Sequence, residues 1–351
     1  MCSSLLYCNT SANPILTKLK LPDLEICVLS AQIRLICTVI HMWGWFGLKF
    51  KPSLPSHKSQ PAISKKELYI DNISFFIMKL LVSAFLLLAL SYAATAEVVV
   101  SFTGRCNNFF FKGQPPIGPT GDQYKKICQK KTQAGGYEYA TLYDTSRRIP
   151  VYSAYKFQGQ GNMRKTTWDI EPQLDDQNGG DFMASEGTVR NGLGRRQAVN
   201  EDYTGTARVY DKGHLLPVKH RNSQSCAVAT FTLTNAAPQH KTFNRGTWRV
   251  KEAEVADTLT TNCLNRGFHA HIVTGVVPGN TNINRRVNVP RYFWSAYCCR
   301  DNNNRPKLSG AFYGKNDYTN RVTSISITSL DARLTRAYGA GFQVFSDKCS
   351  S

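Results

Sequence analysis

The apolar run Leu80 to Leu90 falls short of the roughly 18 residues that a membrane-spanning helix needs, and no C-terminal membrane tail follows it. Beyond Ala96 there is no Cys-x-x-Cys spacing, which excludes zinc ribbons and thioredoxin-like redox chemistry. The same region holds no Asn-x-Ser/Thr sequon; the two in the chain are at Asn9 and Asn72. Internal repeats and low-complexity tracts are missing, so solenoids are excluded. Acidic residues are few: 24 Asp and Glu stand against 43 Lys and Arg, a formal charge of +19. A chain of 351 residues with this balance is a globular protein of one large or two modest domains that favours polyanions.

Residues 1–77 have the composition of neither a domain nor a targeting signal, with four scattered cysteines and a Pro/Ser/Lys stretch from Lys51 to Lys66. From Met78 the pattern changes. Lys79 precedes the run Leu80 to Leu90, and Ala94-Thr95-Ala96 closes it, which gives the basic, apolar and cleavage regions of a secretory signal. The expectation is a doubtful upstream extension over 1–77, a signal peptide over 78–96 and one domain over 97–351. The competing reading is an internal signal-anchor used from Met1. Under the first reading the protein is secreted through the ER, with no stable membrane insertion after cleavage. Seven cysteines follow Ala96, at 106, 128, 226, 263, 298, 299 and 349, which suits disulfides in an oxidising compartment. Cys106 and Cys128 suggest a local loop, and the other pairings are open. Seven is odd, so one thiol stays free or links two chains, and a disulfide-linked dimer is one expectation.

After Ala96 the balance is 34 Lys and Arg against 20 Asp and Glu, in scattered pairs such as Arg195-Arg196 and Arg285-Arg286. Scattered cations suit a folded groove that meets a phosphate backbone without reading bases; each single pair can equally be a solvated surface. Strand signals occur over Tyr137 to Asp144 and Ile149 to Phe157 with a basic turn between, then over His271 to Val277, Tyr292 to Tyr297 and Ser324 to Ile327. Residues 98–136 read as a loop-rich lead-in and 175–207 as a long irregular connection. Asp331 to Ala337, ahead of Gly339, predicts a short helix.

The stretch from Val209 to Leu259 organises the rest. Val209 and Tyr210 lead a strand into Asp211-Lys212-Gly213-His214 at a bend that glycine permits. Thr230 to Thr234 alternates with period two and predicts a second strand, with Asn235-Ala236-Ala237-Pro238 as its exit turn. Asn244, Trp248, Glu252, Val255 and Leu259 then share one helical stripe, so an amide and a carboxylate point the same way as the apolar anchors. Inward polar groups suit a wet, cation-holding cleft, although helix ends also tolerate them.

Asp211-Lys212-Gly213-His214, Asn235-x-x-Pro238-Gln239, Asn244-x-x-x-Trp248 and Glu252 together resemble the pattern of the DNA/RNA non-specific endonucleases of the ββα-metal (His-Me finger) class. Tyr155-Lys156, Trp168 to Pro172 and Asp202 to Gly205 are similar to further landmarks of that family, and the resemblance covers roughly residues 137 to 345. The phrases RIPVYSAYKF and FYGKNDYTNRV are closest to its exported, endonuclease domain-containing 1-like branch. The resemblance implies an α+β fold, a mixed and largely antiparallel sheet flanked by helices, and cleavage of both DNA and RNA. It departs at Lys212, where the family carries Arg and its two-pronged phosphate contact. The family's phosphate-binding Arg has Arg164 and Lys165 as counterparts, at a shifted offset.

The chemistry of these residues gives the same assignment. A neutral histidine can take a proton from water, so His214 is expected as the general base. Asn244 is expected to hold a cation directly and Glu252 through water. So few protein ligands suit hydrated Mg²⁺, with Mn²⁺ as the alternative, better than zinc. Asp211, Lys212, Asn235, Gln239 and Arg164 are expected to shape the site or touch substrate, Asn235 and Gln239 by bonding loop backbone. His220 lacks partners at zinc spacing, His240 lies within reach of phosphate, and His269 and His271 read as structural or exposed. The alternative function is a secreted polyanion binder on the same fold with weak or no catalysis.

Overall fold

Cys298 and Cys299 are neighbours in a strand, so their side chains leave opposite faces of the sheet. Each is bonded into the layer on its own side: Cys299 to Cys263, and Cys298 to Cys349. The computed structural model describes residues 98–161, 165–189, 191–345 and Cys349. The extension 1–77, the signal 78–96 and Arg164 lie outside the described residues.

The strands are β1 (Val98–Val99), β2 (Tyr124–Lys130), β3 (Tyr137–Asp144), β4 (Ile149–Phe157), β5 (Tyr210–His214), β6 (Ala236–His240), β7 (His269–Val277), β8 (Thr281–Ile283), β9 (Val287–Val289), β10 (Tyr292–Arg300), β11 (Pro306–Lys315) and β12 (Val322–Ile325). The helices are α1 (Pro172–Asp175), α2 (Asn200–Thr204), α3 (Gln224–Ala229), α4 (Lys241–Phe243), α5 (Arg249–Asn262) and α6 (Ile327–Tyr338). Eight strands form the main sheet in the order β1-β2-β3-β4-β7-β10-β11-β12. Each ladder in it is antiparallel, and a parallel contact occurs as an isolated bridge between Asp169 and Thr232. β5 and β6 make a separate two-stranded ribbon.

Period-two alternation in the central strands builds two cores and hence three layers. Tyr155, Phe157, Ile272, Val276 and Phe293 point to one face and meet Trp248, Val255 and Leu259 from the α5 side. Tyr152, Ala154, Val273, Trp294 and Ala296 point to the other and meet Leu330 and Leu334 of α6 and the Phe102–Phe111 lead-in. Trp248 is packed among Phe243, Phe293 and Phe312, with ring centroids 5.3, 5.7 and 4.9 Å away. A row of buried hydroxyls crosses the first face: Thr141 bonds Ser153 at 2.9 Å, and Thr274 bonds Ser295 at 2.8 Å.

Several elements differ from the sequence reading. Thr230 to Thr234 is not a strand, because Thr230 closes α3 and Leu233–Asn235 turns tightly. The second strand of the ribbon is the segment read as its exit turn, Ala236–His240. Pro238 is tolerated there because a two-stranded ribbon consists of edges. β2 and β11 were hidden in sequence: the consecutive lysines of β2 and the glycines of β11 blur the alternation. Ser326 accepts a hydrogen bond from Ser329 N, which starts α6 at Ile327 and ends the preceding strand at Ile325. The helix stops where Gly339 turns left-handed at φ 67°.

Cys106 and Cys128 are bonded as the local loop suggested. Among the described residues Cys226 is the free thiol. It is buried, and burial pushes its thiol well above the ordinary range. A dimer linked through Cys226 would require local unfolding, so the structure argues against that expectation. Among the described residues no helix is long and apolar enough to cross a membrane.

The Cys263–Cys299 bond ties the end of α5 to the sheet. The Cys263→Ser/Cys299→Ser double variant should lose about 2–4 kcal/mol of stability in denaturant unfolding; an unchanged midpoint would show that packing alone secures the helix.

Candidate active site

Three consecutive pieces make the site: β5, β6 antiparallel to it, and the chain that runs through α4 into α5. In the ribbon Asp211 pairs with Gln239, Gly213 with Ala237 and His214 with Ala236. Gly213 lies within the strand. A Cβ there would collide with the Gln239 side chain, so glycine serves close approach and not the expected bend. Among the described residues neither atom of the Gln239 amide has a partner; it packs over Gly213 and bonds no loop backbone there.

Between α4 and α5, Asn244–Trp248 winds as one π turn, with Gly246 at non-helical ψ −121°. Asn320 secures this irregular start: its Oδ1 accepts from Thr247 N at 2.8 Å, and Thr247 Oγ1 donates to its carbonyl at 2.9 Å. The turn sets Asn244 against Asp211. Asn244 Nδ2 donates to Asp211 Oδ2 at 3.0 Å, and the Arg245 fork grips the same carboxylate at 2.9 and 2.8 Å. Burial alone would raise the Asp211 carboxyl, but Arg245 and Asn244 hold it below the ordinary carboxylate range. An ionised carboxylate only accepts hydrogen bonds, so Nδ2 must face it and Oδ1 faces away. Among the described residues no donor meets Asn244 Oδ1.

His214 ends β5 on the ribbon's other face, beside Lys212. Its ring lies 4.6 Å from that of Trp168 and 4.9 Å from that of Phe231, centroid to centroid. Nε2 is buried without a partner among the described residues, and burial pushes the imidazole down to about 3. The ring is therefore neutral across the physiological range. Backbone bonds between Asp169 and both Phe231 and Leu233 hold Trp168 in place. Lys212 is drawn inward: its Nζ donates to Asn200 Oδ1 at 2.7 Å and lies 5.6 and 5.5 Å from the Trp168 and Tyr203 ring centres.

Asn235 is fully buried and uses its whole amide. Oδ1 accepts from Leu216 N and Ser153 Oγ at 3.0 and 2.9 Å; Nδ2 donates to the Leu216 and Thr230 carbonyls at 3.1 and 3.0 Å. Glu252, one helical turn after Trp248, accepts from the indole Nε1 at 2.8 Å. Burial nevertheless pushes its carboxyl up to about 8, a state that a nearby cation would reverse. His220 is a joint beneath it. Because a carbonyl only accepts, Nε2–H donates to Glu252 O at 3.0 Å and Nδ1 accepts from the Tyr155 hydroxyl at 2.9 Å.

A cavity of about 400 Å³ adjoins β5, lined by Asn200, Tyr203, Asp211, Lys212, Lys241 and Arg245. Among the described residues no group of three or more His, Cys, Asp or Glu could hold a metal ion. Of the residues expected to hold a cation, Asn244 offers an amide oxygen and Glu252 a carboxyl, and neither lines this cavity. Oxygen donors this few fit a hard cation that keeps most of its water. Sequence reasoning missed Arg245, Asn200 and Asn320 as site residues. Arg245 adjoins Asn244 in sequence, which was its one available signal; the other two act through contacts that exist only in the fold.

Replacing Asp211 by Ala should leave the protein folded but free the Asn244 amide, weakening divalent-cation binding about 10- to 100-fold in calorimetry. His214 near 3 and His220 and His271 near 4 stay neutral in the fold, so their ring NMR signals should not shift between pH 5 and 8. The unfolded chain takes up these protons below about 6.5. Each histidine therefore withdraws stability as pH falls from there toward its folded value, while Glu252 opposes this between about 4.3 and 8.

The family model described as DNA/RNA non-specific endonuclease matches residues 123–348. The chain is 38% identical over 204 residues to the human (Homo sapiens) Endonuclease domain-containing 1 protein, covering 56% of this chain and 39% of that protein. Its mouse (Mus musculus) namesake is 32% identical over 201 residues, with the same 56% and 39% coverage. The chain thus spans well under half the length of these curated relatives. Among solved structures, one described as the EndoG/EndoGI complex superposes with a TM-score of 0.43 at 18% identity, over 68% of this chain and 91% of that one. On the family match, which spans β2 to β12 and the ββα unit, the chain belongs to the DNA/RNA non-specific endonuclease family.

Proposed function

We propose that the protein is a secreted endonuclease that hydrolyses phosphodiester bonds of DNA and RNA without reading base sequence, with Mg²⁺ or Mn²⁺ as cofactor. The observation that carries this reading is the pinned Asn244 amide: Nδ2 is held by Asp211, and Oδ1 has no donor among the described residues. When bound, the cation supplies neutralisation of the charge that develops at the phosphate. Asn244 Oδ1 would hold it directly and Glu252 through water.

His214 is the base, because a neutral imidazole with a free nitrogen can take the proton of the attacking water. Trp168 and Phe231 keep the ring in place. Lys241 and Arg245, on the wall of the adjoining cavity, supply cations toward the nucleic-acid backbone, and phosphate contacts carry no sequence information. Export through the ER is supported by the signal pattern over 78–96 and by three disulfides among the described residues.

A second reading has its own observation. Lys212 replaces the family's Arg, and its ammonium is engaged by Asn200 between two aromatic rings. Burial lowers its pKa. A lysine so placed cannot make the forked phosphate contact, which favours a polyanion binder with weak catalysis. Incubation with plasmid DNA and total RNA in Mg²⁺ separates the two. The nuclease reading expects both to be cut, EDTA to abolish cutting, and His214→Ala to slow it by about 10²- to 10⁴-fold. Salt-sensitive DNA binding without cleavage, with cleavage gained in Lys212→Arg, would establish the second reading instead.

A further inference from the structure

Three strands place basic side chains on the face of the sheet opposite the ββα unit. Lys156 on β4 pairs in register with His271 on β7, and Arg300 follows at the end of β10. All three line an open cavity of about 480 Å³, together with the lead-in residues Asn108 and Lys112 and with Asn304.

The hydrogen bonds fix what this cavity offers. His271 is buried, and its Nδ1–H donates to the Phe109 carbonyl at 3.1 Å, which leaves Nε2 as an acceptor. Arg300 Nε donates to that Nε2 at 3.3 Å, and Nη1 reaches the Asp301 carbonyl at 3.4 Å. The guanidinium is therefore held in one orientation, and among the described residues no acceptor meets Nη2. Lys156 Nζ likewise has no hydrogen bond or ion pair among the described residues. Burial, and next the charge of Arg300, hold its pKa below the ordinary lysine value.

Among the described residues no carboxylate lines the cavity. The neighbouring Asp301 is spent on its own loop: Oδ1 accepts from Asn303 N and Arg305 N, and Oδ2 from Arg305 Nε and Lys307 Nζ. Lys156, Arg300 and Lys112 all line the recess; cations gathered there without a counter-charge repel one another, and an anion among them removes that cost. A guanidinium with a free nitrogen, an ammonium with free protons and two amide side chains match the several acceptor oxygens of one small oxyanion.

We propose that this cavity binds a phosphate group, through Lys156 Nζ and Arg300 Nη2, at a site separate from the ββα unit. The phosphate comes either from free orthophosphate or from the backbone of a nucleic acid lying across this face.

The test is calorimetry on the full-length His214→Ala protein in EDTA, so that its outcome does not depend on catalysis. Orthophosphate should bind saturably at millimolar concentration, Lys156→Gln should weaken binding at least about tenfold, and Lys156→Arg should retain it. An unchanged melting temperature in phosphate-free buffer shows that Lys156→Gln is folded; if it melts lower, Arg300→Gln is read against the same criterion. A nuclease-resistant phosphorothioate oligonucleotide identifies the source. If Lys156→Gln weakens both ligands, the backbone supplies the phosphate; if it weakens orthophosphate alone, the free anion does. Equal orthophosphate affinity with and without Lys156, or no saturable binding, would overturn the proposal.

Discussion

The buried amide of Asn235 is the joint on which the site depends. It bonds the chain leaving β5, the chain leaving α3 and Ser153 on the main sheet, with every donor and acceptor used. Ser153 gives its proton to Asn235 and so accepts one from Thr141, which extends the network into the hydroxyl row. In a region from which water is excluded, each group left unmatched costs about 1–3 kcal/mol. A carbon side chain at position 235 would strand several at once. Because Leu215 N also bonds the Asn235 carbonyl at 2.9 Å, the end of the His214 strand and the start of β6 are set by the same residue.

From that joint outward the site is a chain of positioned polar groups on a stiff frame. Arg245 holds Asp211, Asp211 holds the Asn244 amide, and Asn320 holds the irregular turn that brings Asn244 there. On the other side Asn200 links Lys212 to the Trp168 carbonyl, and Trp168 lies on His214. The hydrophobic packing of Trp248 beneath α5 makes the frame stiff, while the hydrogen bonds decide where each reactive atom points. Burial does the electrostatic work: it keeps His214 neutral and leaves the Glu252 carboxyl poised to gain from a cation.

Much of this was legible in sequence wherever the signal was local. β3, β4, β7 and β10 read as runs rich in aromatic and β-branched residues because each is covered on both faces, and His214, Asn244 and Glu252 stand at offsets that few unrelated sequences share. The ribbon was misread because Thr230 to Thr234 alternates by coincidence, while the true strand contains Pro238 and a run of alanines. Contacts between residues far apart in the chain were illegible. Asp211 with Asn244, Asn200 with Lys212 and Thr247 with Asn320 have no periodicity to betray them. The Cys263–Cys299 and Cys298–Cys349 pairs become evident only once adjacent cysteines are seen to leave opposite faces.

The central claim is that Asp211 and Arg245 turn the Asn244 amide so that its oxygen is the direct protein ligand of one hydrated cation. Anomalous scattering from a crystal soaked in Mn²⁺ tests it most directly. The account predicts a single manganese peak in contact with Asn244 Oδ1, the remaining ligands being water, with Glu252 behind that water. A peak ligated by other side chains, or an Asn244 amide with its nitrogen toward the ion, would contradict it.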